Sequence, residues 1–179
     1  MRPSISRRLL AALGIGVLLA SVTAATALAG RSDLDRARAA TARFNSLTQA
    51  ENAGYGLPPE GPLSQCIASF DGTGAMGFHY INGNLLDGTV DATQPEALVY
   101  AEDANGKLRL VALEYVVLRD AWDAAHASPP SLFGHEFHLV PAGNRYGSPD
   151  FYELHAWIWK HNPRGMFDDW NSRVTCAEA

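Results

Sequence analysis

The chain is short of the residues from which familiar reactive centres are built. Cysteine occurs twice in 179 residues, and no Cys-x-x-Cys-His is present, so covalent haem of the c type is excluded. G-x-S-x-G, G-x-x-x-x-G-K-[ST] and H-E-x-x-H are all missing. That removes the serine-hydrolase elbow, the P-loop and the helical zinc-protease motif. Positive charge is scarce as well: 14 Lys and Arg stand against 19 Asp and Glu. An acidic balance argues against nucleic acid and anionic membrane as partners. There is no internal repeat and no low-complexity segment. No apolar run approaches the about 20 residues that cross a bilayer as a helix.

The longest unbroken apolar run, Leu9 to Ala20, has twelve residues. Arg2, Arg7 and Arg8 precede it and Ala27-Leu28-Ala29 follows it, the order of a secretory signal peptide. Ser6-Arg7-Arg8-Leu9-Leu10 also partly matches a twin-arginine signal, but paired arginines are common in ordinary signals, and the general secretory route is the preferred reading. No cysteine follows the run, so a lipoprotein signal is excluded. The expected organisation is therefore a signal peptide over 1–29, an N-terminal helix over 30–54, and a β-rich body over 55–179 in the same single domain. Without the three signal arginines the balance becomes 11 basic against 19 acidic residues, a net charge of −8. The mature protein is expected outside the cell or in the cell envelope, with no membrane span. In that oxidising setting Cys66 and Cys176 are expected to form a disulfide. It would close a loop of about 110 residues and stabilise by roughly 4 to 5 kcal/mol on the chain-entropy model. Both sulfurs are then committed, which argues against a cysteine nucleophile or a blue-copper centre.

From Ser32 to about Asn52 the pattern is helical. Leu34, Ala37, Thr41, Phe44 and Leu47 recur at three-four spacing, and Gly54 supplies a stop. From Cys66 onward the signals are β. Met76 to Asn82 alternates, and Glu96–Ala101 and Leu108–Leu118 flank an Asn105-Gly106 hairpin turn. Leu108, Leu110, Ala112, Glu114, Val116 and Leu118 are expected on one face. Tyr152 to Lys160 alternates too: Glu153, His155, Trp157 and Trp159 face one way, and Tyr152, Leu154, Ala156 and Ile158 the other. The expected fold class is α+β: one N-terminal helix on a curved antiparallel sheet of about five strands, NTF2-like or a ferredoxin-like barrel. A cupin-like β-sandwich is the alternative.

Three ionisable residues interrupt strands that otherwise read as buried: His79, Glu114 and His155. Burying such groups costs several kcal/mol unless they are paired or ligated. Two imidazoles and a carboxylate form the ligand set of many zinc and non-haem iron sites. A divalent transition metal (zinc, iron or copper) is therefore the candidate cofactor, with His135, from the Gly134-His-Glu-Phe-His138 segment, as a fourth candidate ligand. Tyr80, Trp157 and Trp159 are the candidate pocket walls. The competing reading is a non-catalytic secreted binding module in which the same groups satisfy a polar core. Small-molecule and extracellular protein partners are both open. Gly72 to Gly77 spells G-x-G-x-x-G, but a strand follows it, so no helix N-terminus receives a pyrophosphate.

MGFHYIN, PEALVY, LRLVALEY, SLFG and YELHAWIWKHNPRGMFDDWN, with the final Cys176, together resemble a family of exported, largely actinobacterial proteins. The C-terminal LHxWxWKxNPxGMFxxWN segment is the most specific part of the likeness, which runs from the helix to Cys176. The family has no assigned activity. The resemblance implies export and a single domain, and carries no catalytic role.

Overall fold

The structure, a computed structural model, describes residues 32–176; the expected signal peptide lies outside them. Helix α1 covers residues 32–41. A 3-10 turn at Ala42–Asn45 and an extended Ser46 (φ −95°, ψ 113°) separate it from α2, Leu47–Asn52. The single helix expected from spacing is thus two. Thr41 is buried, and its hydroxyl donates to the Ala37 carbonyl at 2.7 Å, a back-bond that competes with regular helix. The Phe44 carbonyl, which a continuing helix would use, accepts the Tyr100 hydroxyl at 2.6 Å instead. The stop at Gly54 is as expected. Its φ of +92° and the bonds Gly54 N–H to Glu51 O and Tyr55 N–H to Ala50 O form a Schellman cap.

The body is α+β, as expected, with a curled antiparallel half-barrel sheet. Its strands are β1 (Ile67–Ala68), β2 (Ala75–Ile81), β3 (Ala97–Glu102), β4 (Leu108–Leu118), β7 (His138–Val140) and β8 (Phe151–Ala156). They run in the order β1-β2-β3-β4-β8-β7, and β5 (Ser131–Leu132) and β6 (His135–Glu136) form a separate ribbon. The sheet thus has six strands where about five were expected. A short helix, α3 (Arg119–Asp123), follows β4. Among the described residues no helix is long and apolar enough to cross a membrane.

The helical segment packs on one face. Ala37, Phe44 and Ala50 share a core with Leu98, Tyr100, Leu113, Tyr115, Tyr152 and Leu154. The other face carries a smaller core of Val99, Val111, Ala112, Trp157 and Val174. Two irregularities redistribute side chains between them. Val99 pairs with Ala112 but Tyr100 pairs with Leu110, so Val111 is an extra residue in β4. This bulge turns Leu108 and Leu110 toward the helix side, away from Glu114, and corrects the expected single face. Strand β8 ends at Ala156, not Lys160. The Trp157 N–H bonds the Met166 carbonyl, and the Val111 carbonyl accepts N–H groups from both Trp159 and Lys160. The chain therefore leaves the ladder, and the Trp159 indole reaches Thr41 Oγ1 at 3.3 Å, on the helix side.

Cys66 and Cys176 are bonded to each other, closing a sequence separation of 110 residues. The bridge ties the tail to β1. Beside it, Ala75 and Asn171 exchange two backbone hydrogen bonds.

Candidate metal centre

On the face away from the helix the sheet carries a row of ionisable side chains. His79 comes from β2, Glu114 from β4, Glu153 and His155 from β8, and His138 from β7. Register explains their proximity. Glu114 is paired with His155, and Glu153 with His138. His79 is one strand further away, but β3 between them presents Ala97 and Val99, and these small side chains let the imidazole and the carboxyl meet across it. Gly77 contributes as well. Its φ is +116°, and a Cβ there would collide with the Tyr100 carbonyl, so β2 closes on β3 only with glycine at this position.

His79 Nε2 lies 3.3 Å from Glu114 Oε2, and His155 Nδ1 lies 3.9 Å from Glu114 Oε1. The two imidazoles meet edge to face, with ring centres 5.6 Å apart. Each of the three residues is buried. Nδ1 of His79 and both ring nitrogens of His155 have no hydrogen-bond partner. The donor atoms of His79, Glu114 and His155 all lie within 4.8 Å of one another. Burial holds His155 down to about 4. Burial, then the neighbouring His155, holds His79 down to about 3. Both rings are therefore neutral at neutral pH, the form that binds metals.

The carboxyls are arranged to share a proton. Glu114 is raised well above the usual carboxylate range by burial, and then by the charge of Glu153 and a hydrogen bond with it. Burial works in the same direction on Glu153, but its hydrogen bond to His138 and the nearby imidazoles bring it below its ordinary value. Glu114 thus holds the proton and Glu153 is ionised. His138 Nε2 lies 2.8 Å from Glu153 Oε1 and 3.6 Å from Asp169 Oδ2. The hydrogen bond to Glu153 raises His138, although burial opposes it. His138, Glu153 and Asp169 form a second cluster of potential ligands, at the more exposed β7 edge. An ion pair already satisfies that histidine.

His79 and Glu114 lie in the floor of a pocket of about 130 Å³. Its walls are mainly aliphatic, with Phe151 and Tyr146 at one side. The buried Glu96 also faces it. Glu96 Oε2 accepts the Val116 N–H at 2.9 Å, and burial pushes this carboxyl up to about 8. His155 lies behind the floor and does not line the pocket. It stacks on Trp157, with ring centres 6.0 Å apart.

Three of the four residues singled out as ligands are therefore neighbours. His135 is not among them; it lies exposed at the start of β6 with its ring 4.0 Å from that of Phe167. Of the expected pocket aromatics, Trp157 lies beside His155. Tyr80 and Trp159 are on the helix side, where Tyr80 packs edge to face on Tyr100 at 5.0 Å. Sequence reasoning passed over Glu153, Glu96 and Asp169 as site residues, and from the Gly134–His138 segment it took His135 as the candidate ligand and not His138. For Glu153 a signal was present, because its alternation put it on the same face as His155.

The chain was compared with protein-family models, with curated proteins and with solved structures, and it matches none of them.

Proposed function

We propose that this is an exported metal-binding domain in which His79, Glu114 and His155 hold one divalent transition-metal ion at the floor of the apolar pocket. The observation that carries the reading is a pair of fully buried, neutral imidazoles beside one carboxyl, with His79 Nε2 and the unpartnered His155 Nδ1 facing its two oxygens. Leaving a buried nitrogen such as His155 Nδ1 without a partner costs about 1–3 kcal/mol, whereas a metal would use that lone pair. The spacing also supports it. Ligand bonds of 2.0–2.1 Å in tetrahedral arrangement place donor atoms about 3.3 Å apart; His79 Nε2 lies 3.3 Å from Glu114 Oε2, and His155 Nδ1 lies 3.9 Å from the other oxygen, Oε1. Three protein ligands would leave a further position for another ligand, and His79 and Glu114 both line the pocket. A metal so held would supply Lewis acidity or an activated water, the chemistry of metal-assisted hydrolysis, or oxygen chemistry if the ion were iron or copper. Export is supported by the basic residues and apolar run at the N-terminus and by the disulfide.

Elemental analysis of protein purified without a histidine tag tests this, together with thermal unfolding in added zinc, copper or iron. The expected result is close to one equivalent of metal and a higher unfolding temperature. Less than about 0.1 equivalent, with no shift for any of the three ions, refutes it.

A second reading has its own support in the Glu114–Glu153–His138 hydrogen-bonded series. There the row is a polar core joining β4, β8 and β7 in a non-catalytic module, and Glu114 is satisfied by Glu153 without a metal.

A further inference from the structure

We infer that the pocket above His79 and Glu114 takes a small, uncharged, mainly apolar molecule of about the size of a benzene ring, with one polar atom directed at that floor. The inference deepens the metal reading, in which that polar atom occupies the metal's open position. The arguments from size and polarity hold without the metal.

Size comes first. The pocket measures about 130 Å³, and an apolar cavity of about 150 Å³ is known to admit benzene. About six or seven non-hydrogen atoms therefore fill it. The walls come next: Ile67, Ile81, Ala97, Val116 and Phe151 contribute carbon surface. Leu86 and Leu118 also line the pocket and are 37% and 36% exposed. Two of the four large hydrophobic side chains exposed among the described residues thus sit on one opening, which suits an apolar entrant.

Polarity narrows the class. No Lys or Arg lines the pocket, so an anion would lose its hydration without gaining a counter-charge. Glu96 is buried, and with its carboxyl pushed up to about 8 it adds no full charge at neutral pH. The hydroxyls of Tyr146 and Ser148 in the lining are engaged with Met76 and Asn144, which leaves His79, Glu114 and Glu96 as the polar groups for a ligand. One oxygen or nitrogen on the ligand meets them, while the remainder of the molecule meets hydrocarbon.

Phenol and benzoate serve as probes. Each is titrated into the full mature chain as purified and after chelation, with metal content measured on the same samples and binding followed by NMR. Phenol is expected to bind both preparations saturably, and benzoate at least tenfold more weakly to the chelated protein. Val116→Phe and Ile81→Phe, each placing a ring into the pocket, are expected to weaken phenol at least tenfold without changing metal content. Phenol-induced shifts at the Val116 and Phe151 amides locate the site even if both variants fail to fold.

Three results overturn the inference: no saturable phenol binding in either preparation, benzoate binding as tightly as phenol to chelated protein, or shifts confined to other surfaces. Because metal is counted separately, the two readings fail independently. Protein that binds phenol in the pocket but never holds metal refutes the metal centre alone. Protein that holds metal but ignores phenol refutes the pocket alone.

Discussion

Glu114 and His155 are direct register partners across β4 and β8, yet His155 Nδ1 stops 3.9 Å from Glu114 Oε1, beyond hydrogen-bond length. Two groups held opposite each other at that distance do not satisfy one another, and their donor atoms, with that of His79, all lie within 4.8 Å of one another. A pair evolved as a satisfied polar core would be expected to close to about 2.8–3.0 Å, as His138 and Glu153 do on the neighbouring strand pair. The two pairs share one face of one sheet, and the difference between them supports the proposal that a metal is held at the first.

That difference can be tested by a double-mutant cycle. In the metal-centre account, His155→Gln abolishes metal binding and leaves the stability of the metal-free protein within about 1 kcal/mol of wild type. Glu114→Gln behaves likewise, and the two effects on metal-free stability add. In the polar-core account His155→Gln costs about 1–3 kcal/mol and is strongly non-additive with Glu114→Gln. Chemical denaturation of the four chelated proteins, read alongside their metal affinities, separates the two accounts.

Metal binding should also release protons. Glu114 is protonated in the metal-free fold, because burial and Glu153 raise it well above the usual range, and a coordinating carboxylate must be ionised. Ion binding is therefore expected to release a proton from Glu114, and affinity is expected to fall as pH is lowered. Calorimetry in two buffers of different ionisation enthalpy measures this. Binding without proton release would mean that Glu114 is not a ligand.

Much of this site was legible in the strand periodicity. His79, Glu114 and His155 each interrupt an apolar strand, and alternation alone turns each of them to one face. Where the reading went astray, a local backbone event had changed the parity. The extra residue at Val111 moved Leu108 and Leu110 to the other side of the sheet. The end of β8 at Ala156 did the same for Trp159. In the His135–His138 segment the choice between two histidines depended on where a three-residue strand begins. Phe133 and Gly134 both have positive φ (55° and 80°), a turn that sends His135 into the ribbon and leaves His138 to pair with Glu153. The helical break at Ala42–Asn45 was hidden for a different reason. Its cause is a hydrogen bond from Tyr100, 56 residues away, and no local propensity records that.

Glu96 should leave a signature in the pH dependence of stability. Its carboxyl is pushed from 4.5 to about 8 in the fold, chiefly by burial. Below pH 4.5 both folded and unfolded chains carry the proton, and Glu96 costs nothing. As pH rises toward 8 the unfolded chain ionises and the native chain does not, so native stability falls. Glu96→Gln removes this term and keeps an acceptor for the Val116 N–H. The variant is expected to gain on wild type by about 1 kcal/mol per pH unit between pH 5 and 8, and to show little advantage at pH 4.5. Denaturation midpoints across that range supply the comparison. The histidine contributions are common to both proteins and cancel. A difference that does not vary with pH would place an ionised Glu96 in the pocket.

The Cys66–Cys176 bridge ties the β1 edge to the tail. Denatured wild-type protein should show essentially no free thiol. Replacing both residues by serine is expected to cost about 2–5 kcal/mol. Two titratable thiols per chain would contradict the bridge and return Cys66 to the list of reactive groups.

The most direct test is equilibrium dialysis of zinc against three proteins in parallel: wild type, His155→Gln and His135→Gln. The account predicts about one tightly held zinc in wild type and in His135→Gln, whose imidazole lies outside the cluster, and its loss in His155→Gln. Equal zinc in all three, or none in wild type, would contradict it.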